Sequence, residues 1–469
     1  MNYRVRMQAS HRRQLQALLS DRSREQACFL LCRSARADDE TVLLVVDVMG
    51  LEAGDLNVQR PDQLSVAPSA MLRVARAAQE SGTAMCMVHT HPFSLGSVGF
   101  SHADDVGNVR TFEFFHRMVP ERLHSCLVWS GDLANVSGRV YRADGNWSVV
   151  ESVDVVSGEK WHRHRDRATA DSEFDREVFD RQARLLGRAG QATIGELKVG
   201  VIGCGGIGTV CAQLLVHSGV RDFLLVDFDP SEPSNLPRLL GATADEVNRR
   251  ALKTAIVERC IMAVNPDARV RRFESAVEDS SLLGQLVDLD AIVCATDDTT
   301  SRAYLNQLCH QYYVPILDLG VQFVVDQTTG QIVNNIGKVN LMRPGDPCLQ
   351  CIGHVNPHVL ADEALDMTAR EDRRQEGYLR GTDEPEPAMM IFNMQIASRG
   401  IQTLLGWFSG FQPVSSELFE RYDFLGLADR GLVSATRRRA VDNCVLCDPN
   451  GTLHGVGDAH PMIVSPRPR

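Results

Sequence analysis

Short unbroken apolar runs recur along the chain and read as strands. In the first third these are Ala27-Cys-Phe-Leu-Leu-Cys32, Thr41-Val-Leu-Leu-Val-Val46 and Ala84-Met-Cys-Met-Val88, while Val66 to Glu80 sets its apolar residues at helical spacing. Residues 1–150 therefore predict one small α/β domain. A second series begins at Lys198-Val-Gly-Val-Ile202 and continues through Phe223-Leu-Leu-Val226 and Ala291-Ile-Val-Cys294, with an apolar helix from Met390 to Leu405 near its end. That order predicts a second α/β domain, over about 176–450. Between the two, residues 151–175 are dense in charge (Glu159-Lys-Trp-His-Arg-His-Arg-Asp-Arg167) and read as a linker, with His162 and His164 solvated among the arginines. Residues 451–469 read as a tail, disordered from Pro461 to Arg469.

The turn that follows the first strand of the second series carries chemistry. Gly203, Gly205 and Gly208 have the GxGxxG spacing, with Gly206 between them, which lets backbone N–H groups and a helix N-terminus approach a phosphate closely. The next strand ends in Asp227, at the spacing where a nucleotide-binding β-α-β unit places its ribose ligand. A nucleotide site is expected here.

Metal ligands are suggested at two places. His89 and His91 end an apolar run at i and i+2, so both imidazoles point the same way. Ser101-His-Ala-Asp104 then offers a carboxylate, with Asp105 as its competitor. Two histidines and one carboxylate leave the fourth position of a tetrahedral zinc open, as catalytic sites do. Cys348 and Cys351, then Cys444 and Cys447, form two CxxC pairs, the spacing of a structural zinc site in a cytoplasmic protein. The other cysteines, such as Cys28, Cys32, Cys86, Cys126 and Cys294, lie in apolar runs and read as small buried thiols.

Charge and composition narrow the partners. A formal net charge of −11 with only short basic clusters (Arg12-Arg13, Arg249-Arg250, Arg437 to Arg439) argues against nucleic acid. No window approaches about 18 consecutive apolar residues, so a membrane partner is not expected. The N-terminus Met1-Asn-Tyr-Arg-Val-Arg has no apolar secretory segment, and a cytoplasmic location is the expectation.

The set His89-Thr-His91-Pro92, Ser101-His-Ala-Asp104 and an acid, Glu25, ahead of an apolar strand resembles the JAMM/MPN metalloprotease family, of cytidine-deaminase-like α/β fold, whose members remove ubiquitin-like modifiers. The resemblance covers about residues 1–145. It implies that His89, His91 and Asp104 bind a catalytic zinc, that Glu25 is the general base toward the attacking water, and that Ser101 helps stabilise the oxyanion.

Residues from about 174 to 450 resemble the Rossmann-like, doubly wound adenylyltransferases that activate ubiquitin-like proteins, including the ThiF/MoeB branch. The motifs stand in the family's order: the loop Gly203 to Gly208, Asp227-Phe-Asp229, Ser234-Asn235-Leu-Pro-Arg238, Lys253, and Ala295-Thr-Asp297-Asp298. The resemblance implies that Asp229 and Asn235 help hold the nucleotide, Arg238 and Lys253 contact its phosphates, and Asp297, beside Asp298, binds magnesium. Arg181 matches an arginine that reaches the neighbouring subunit's nucleotide, which implies a homodimer. Members that pass their substrate to a thioester carry a cysteine between the two CxxC pairs. This chain has none between Cys351 and Cys444, where a charged insert, 354–388, suggests a crossover loop.

Together these resemblances imply a bacterial-type fusion that uses ATP and magnesium to adenylate the C-terminal carboxylate of a ubiquitin-like protein or peptide, and a zinc peptidase that processes or removes it. A conjugating-enzyme-like partner is one destination for the activated carboxylate. Adenylation of a small biosynthetic peptide and non-catalytic binding of ubiquitin-like proteins are the competing readings.

Overall fold

The computed structural model describes residues 2–165, 177–326, 328–366, 368–369, 387–415, 418–426 and 433–464. They divide into two compact units: Met1–Ala170 with Gln311–Tyr313 and Gly455–Pro461, and the remainder.

The first unit is built on strands β1 (Asn2–Met7), β2 (Ala27–Arg36), β3 (Glu40–Gly50), β4 (Leu56–Gln59), β5 (Leu64–Val66), β6 (Ala84–His91), β7 (Ser125–Ser130), β8 (Val136–Tyr141), β9 (Trp147–Val155) and β10 (His162–His164), with helices α1 (Ala9–Leu18), α2 (Pro68–Ser81) and α3 (His102–Met118). Strands β4 and β5 form a separate ribbon. The others run β1-β3-β2-β6-β7-β8-β9-β10, and β1 also pairs with β9. Seven strands thus close on themselves into a barrel-like sheet, a more complete closure than the expected α/β layer.

The unbroken apolar runs are explained by two cores. Along β2, Cys28, Leu30 and Cys32 enter one, whereas Phe29 and Leu31 enter the other. The same alternation sends Cys86 and Val88 of β6 one way and Met85 the other, toward Phe112 and Phe115 of α3. His89 and His91 continue the odd-numbered face of β6 by the period of two, so they come out beneath α3.

The stretch 151–164 is not linker. It completes β9 and adds β10, whose Arg163 pairs with the buried Asp154 through Nε at 2.8 Å. Nor is His164 solvated: its Nδ1 meets the Ala134 carbonyl at 3.0 Å and its ring sits edge-on to Trp129. Strand β10 was hidden because its inward residue is charged. The expected tail also folds in part, since Leu453 and Val456 are buried and the Arg36 N–H donates to Asp458 at 2.7 Å. Residues 166–175 of the expected linker, residue 176 and residues 465–469 of the tail lie outside the described residues.

The second unit carries strands β11 (Lys198–Ile202), β12 (Asp222–Val226), β13 (Arg269–Phe273), β14 (Ala291–Cys294), β15 (Ile316–Val325), β16 (Ile332–Met342), β17 (Leu418–Tyr422) and β18 (Val433–Arg437). Its helices are α4 (Asp180–Gly195), α5 (Gly206–Ser218), α6 (Ala244–Asn248), α7 (Lys253–Val264), α8 (Leu283–Asp288), α9 (Thr299–Tyr312), α10 (Pro357–Glu363) and α11 (Met390–Ser409). The sheet order is β13-β12-β11-β14-β15-β16-β17-β18. Its first five strands are parallel and the last three antiparallel. The strand order reverses between β11 and β14, where open α/β sheets bind their ligands.

Among the described residues, no helix is long and apolar enough to cross a membrane. Part of the predicted crossover insert, residues 367 and 370–386, lies outside the described residues.

The tightest backbone approach is at the first turn of α5. A Cβ on Gly208 would stand 1.9 Å from the Gly203 carbonyl oxygen, whereas one on Gly205 would meet nothing within 4 Å. Gly208→Ala should therefore cost about 2 kcal/mol or more, read as a lower melting temperature for the second unit's transition, with Gly205→Ala causing a much smaller change.

Candidate active and metal sites

In the first unit, β6 delivers both histidines and α3 delivers the acid. Asp104 Oδ1 lies 3.0 Å from His89 Nε2, and its Oδ2 lies 3.2 Å from His91 Nε2. Ligands about 2.0–2.1 Å from a tetrahedral zinc are about 3.3 Å from one another, so these separations fit a shared ion. His89 Nε2 is buried and, despite its nearness to Asp104, makes no hydrogen bond, as expected of a lone pair directed at a common point. On the other side of that ring, Nδ1 faces the Cys126 thiol at 3.8 Å.

Asp104 reaches the histidines because it sits in the first turn of α3. Ser101 caps that helix, and both its N–H and its hydroxyl donate to Asp104 Oδ2, at 2.6 and 2.8 Å. The hydroxyl expected to stabilise an oxyanion is here spent on orienting the acid. Asp105 is removed from competition by an ion pair with Arg139, whose guanidinium lies between Phe100 and Trp147. Burial pushes the Asp104 carboxyl up, but the adjacent His89 and His91 imidazoles and the Ser101 N–H hold it well below the usual carboxylate range.

Glu25 precedes β2 and is buried, with Oε1 3.9 Å from His91 Nε2. Its loop is fixed by backbone: Glu25 N–H donates to Arg60, and Gln26 and Thr90 exchange bonds at 3.0 Å. Burial raises its carboxyl and the neighbouring histidines offset part of that rise.

In the second unit, β11 turns into α5 through the glycines. Gly203 has φ +89°, and a Cβ there would collide with the Ala295 carbonyl at 2.7 Å, so the loop also touches the end of β14. Asp227 clamps the loop from β12: its two oxygens accept from the Cys204 N–H at 2.7 Å and the Asp229 N–H at 2.8 Å. Lys253 opens α7 and pairs with Asp229 at 2.7 Å. Asn235 is buried in a single 3-10 turn, its amide oxygen accepting from the Glu232 N–H. The Arg238 carbonyl lies beside Gly206.

The two aspartates after β14 have different situations. Asp298 caps α9, its Oδ1 accepting from the Ser301 N–H at 2.6 Å. Asp297 is exposed, which leaves it the better placed of the two for a cation. Arg181, near the start of α4, is exposed and forms no part of this cluster.

Sequence reasoning missed several residues near this loop. Glu363 of α10 accepts from the Thr299 and Thr300 N–H groups at 2.9 and 2.8 Å, satisfying the start of α9. Arg302 binds the Thr296 carbonyl through Nη2 and the buried Asp318 through Nε. His354 Nδ1 lies 3.5 Å from the other Asp318 oxygen. No local spacing announces these residues, because strands and helices far apart in sequence bring them together.

The four cysteines of the CxxC pairs converge, with Cys348 and Cys444 sulfurs 3.8 Å apart and those of Cys351 and Cys447 3.7 Å apart. Zinc–sulfur bonds of about 2.3 Å place tetrahedral sulfurs about 3.8 Å apart, so the set fits a structural zinc and is far from disulfide length. Each site should hold its own ion. Purified protein is expected to carry about two zinc ions per chain. By elemental analysis, Cys348→Ser should remove one and lower the melting temperature; His89→Ala should remove the other with a smaller thermal effect.

The sequence profile of the ThiF family matches residues 179–440. The sulfur carrier protein ThiS adenylyltransferase of Bacillus subtilis is 30% identical over 168 residues, 36% of this chain and 47% of the relative. The SAMP-activating enzyme E1 of Haloferax volcanii is 28% identical over 184 residues, 38% of this chain and 63% of the relative. Among solved structures, E. coli MccB with ATP aligns at a TM-score of 0.45 and 18% identity, covering 59% of this chain and 76% of that one. The chain thus spans about half to two-thirds of the length of these two curated relatives. With its glycine turn and acid-ended strands inside a match that covers more than half of its length, this chain belongs to the ThiF family.

Proposed function

We propose that the second unit adenylates the C-terminal carboxylate of a ubiquitin-like protein or peptide, using ATP, and that the first unit is a zinc-dependent peptidase of JAMM/MPN type acting on the same class of modifier. The observation that carries the first part is the meeting of the glycine loop, Asp227, and the ends of β12 and β14 at the point where the strand order reverses. In this reading the N–H groups at the start of α5 cradle phosphate and the acids after β12 hold the ribose.

The substrate carboxylate attacks the α-phosphorus, forming an acyl–phosphate bond while pyrophosphate leaves. Lys253 exchanges its pair with Asp229 for the phosphates, and Arg238 adds charge to the leaving side. Magnesium held by Asp297 would offset the triphosphate charge. No protein nucleophile is needed, because positioning and electrostatics supply the acceleration. Arg181 would reach the site of a second copy in a homodimer.

In the first unit, zinc on His89, His91 and Asp104 would supply Lewis acidity. Glu25 is placed to take the proton of an entering water, and Ser101 keeps Asp104 oriented. The cytoplasm is the proposed compartment, since thiol ligands need a reducing one. Because no cysteine lies between Cys351 and Cys444, transfer to a crossover thiol is not part of the proposal, and this same feature favours a small peptide as the second reading of the substrate.

Two assays separate the parts. ATP–pyrophosphate exchange with candidate modifiers ending in diglycine should require the free carboxylate and fall about 100-fold or more in Asp297→Ala. Exchange with short peptides alone would select the second reading, and tight ATP binding with no exchange on any carboxylate would remove adenylation. Zinc-loaded protein should cleave a C-terminally extended modifier, with Glu25→Gln losing about 100-fold or more in rate; equal rates in the two proteins would remove the peptidase assignment.

A further inference from the structure

A row of residues runs across the second unit's sheet from the loop that carries Asp297. Cys294 at the end of β14 is level with Asp318 of β15, and past the strand end Thr296 comes beside Gly320, because one Arg302 nitrogen, Nη2, reaches both the Thr296 and the Leu319 carbonyls. Gly320 faces Lys338 of β16, and Lys338 faces Arg421 of β17. The row is therefore Thr296, Gly320, Lys338, Arg421.

Two features of this row need an explanation. Like charges directly opposite each other in a sheet are destabilising, yet neither Lys338 nor Arg421 makes an ion pair or hydrogen bond with its side chain among the described residues. Burial lowers the Lys338 ammonium first, Asp318 opposes that shift, and Arg302 and Arg421 reinforce it. In addition, Gly320 leaves the sheet bare between the loop and the two cations, since a Cβ there would meet only the Arg302 guanidinium, at 3.7 Å. Next along the same face lies Asn340, fully buried, with both amide atoms lacking a partner. The face is polar, incompletely satisfied and positive.

We propose that Lys338 and Arg421 form a specificity subsite for an acidic side chain of the polypeptide whose C-terminal carboxylate is activated beside Asp297. The inference rests on the adenylation reading for its direction, because that reading places the reacting end at Asp297. Neighbouring strands are about 4.8 Å apart, so Lys338 stands about 10 Å and Arg421 about 14 Å from Thr296. An extended peptide advances about 3.3 Å per residue and can cross the bare strip at Gly320. The acidic residue then falls about three to five positions before the carboxylate. An anion there would relieve the repulsion between the two cations, so binding and sheet stability favour the same occupant.

The test uses the full chain and fluorescein-labelled hexapeptides with free C-termini, Ala-Ala-Glu-Ala-Gly-Gly and Ala-Ala-Gln-Ala-Gly-Gly, read by fluorescence anisotropy. The wild-type protein should bind the glutamate peptide about tenfold more tightly, and Lys338→Gln with Arg421→Gln should bind both alike. Lys338→Glu with Arg421→Glu should instead prefer a third peptide with lysine at that position, a gain that a misfolded protein cannot show. Equal affinities in the wild type, or a glutamate preference that survives the neutral pair, would overturn the subsite. The glutamate preference without pyrophosphate exchange would leave the subsite standing and remove adenylation alone.

Discussion

The approach of α5 to the turn that feeds it is the constraint on which the second unit depends. With hydrogen at the Gly208 Cα, the first turn of α5 lies against the Gly203 carbonyl, and Gly203 in turn lies against the end of β14. That closeness aims the helix N-terminus into the gap where strand order reverses. Asp227 then completes the turn, because a half-buried carboxylate there needs donors, and those it finds are the N–H groups of Cys204 and Asp229. The same residues are thus required by folding and by phosphate recognition, and a larger side chain at Gly208 would damage both.

The first unit reaches its site by a different route. A strand buried on both faces sends alternate residues into two cores, and at the end of β6 this period puts two imidazoles on the face covered by α3. A capping serine sets where α3 begins, and the cap places Asp104 toward those rings. Arg139 then separates adjacent acids, holding Asp105 outward while Asp104 turns in. A metal-ligand set therefore arises from strand period, helix cap and one ion pair, none of which is unusual alone.

Much of this was legible from short spacing. The glycine turn, the paired histidines and the two CxxC pairs are each local, so their geometry follows from the backbone of a few residues. What escaped notice depends on register between distant segments. Glu363 at the start of α9, the Arg302–Asp318 pair with His354, and the facing of Lys338 and Arg421 exist because strands separated by up to about a hundred residues align. The stretch 151–164 was misread because β10 is rich in charge and its stabilising contact is an ion pair, a pattern that resembles solvated linker when tertiary partners are unseen. Gly457 shows the same limit: its value lies in close approach to the Ser34 carbonyl, which its own neighbours do not reveal.

The central claim is that a carboxylate oxygen attacks the α-phosphorus of ATP in the second unit. It is tested most directly by supplying a substrate whose C-terminal carboxylate carries a heavy oxygen isotope, then discharging the product with an amine and weighing the nucleotide. The account predicts AMP containing one heavy oxygen from the carboxylate. Unlabelled AMP, or ADP in its place, would contradict it.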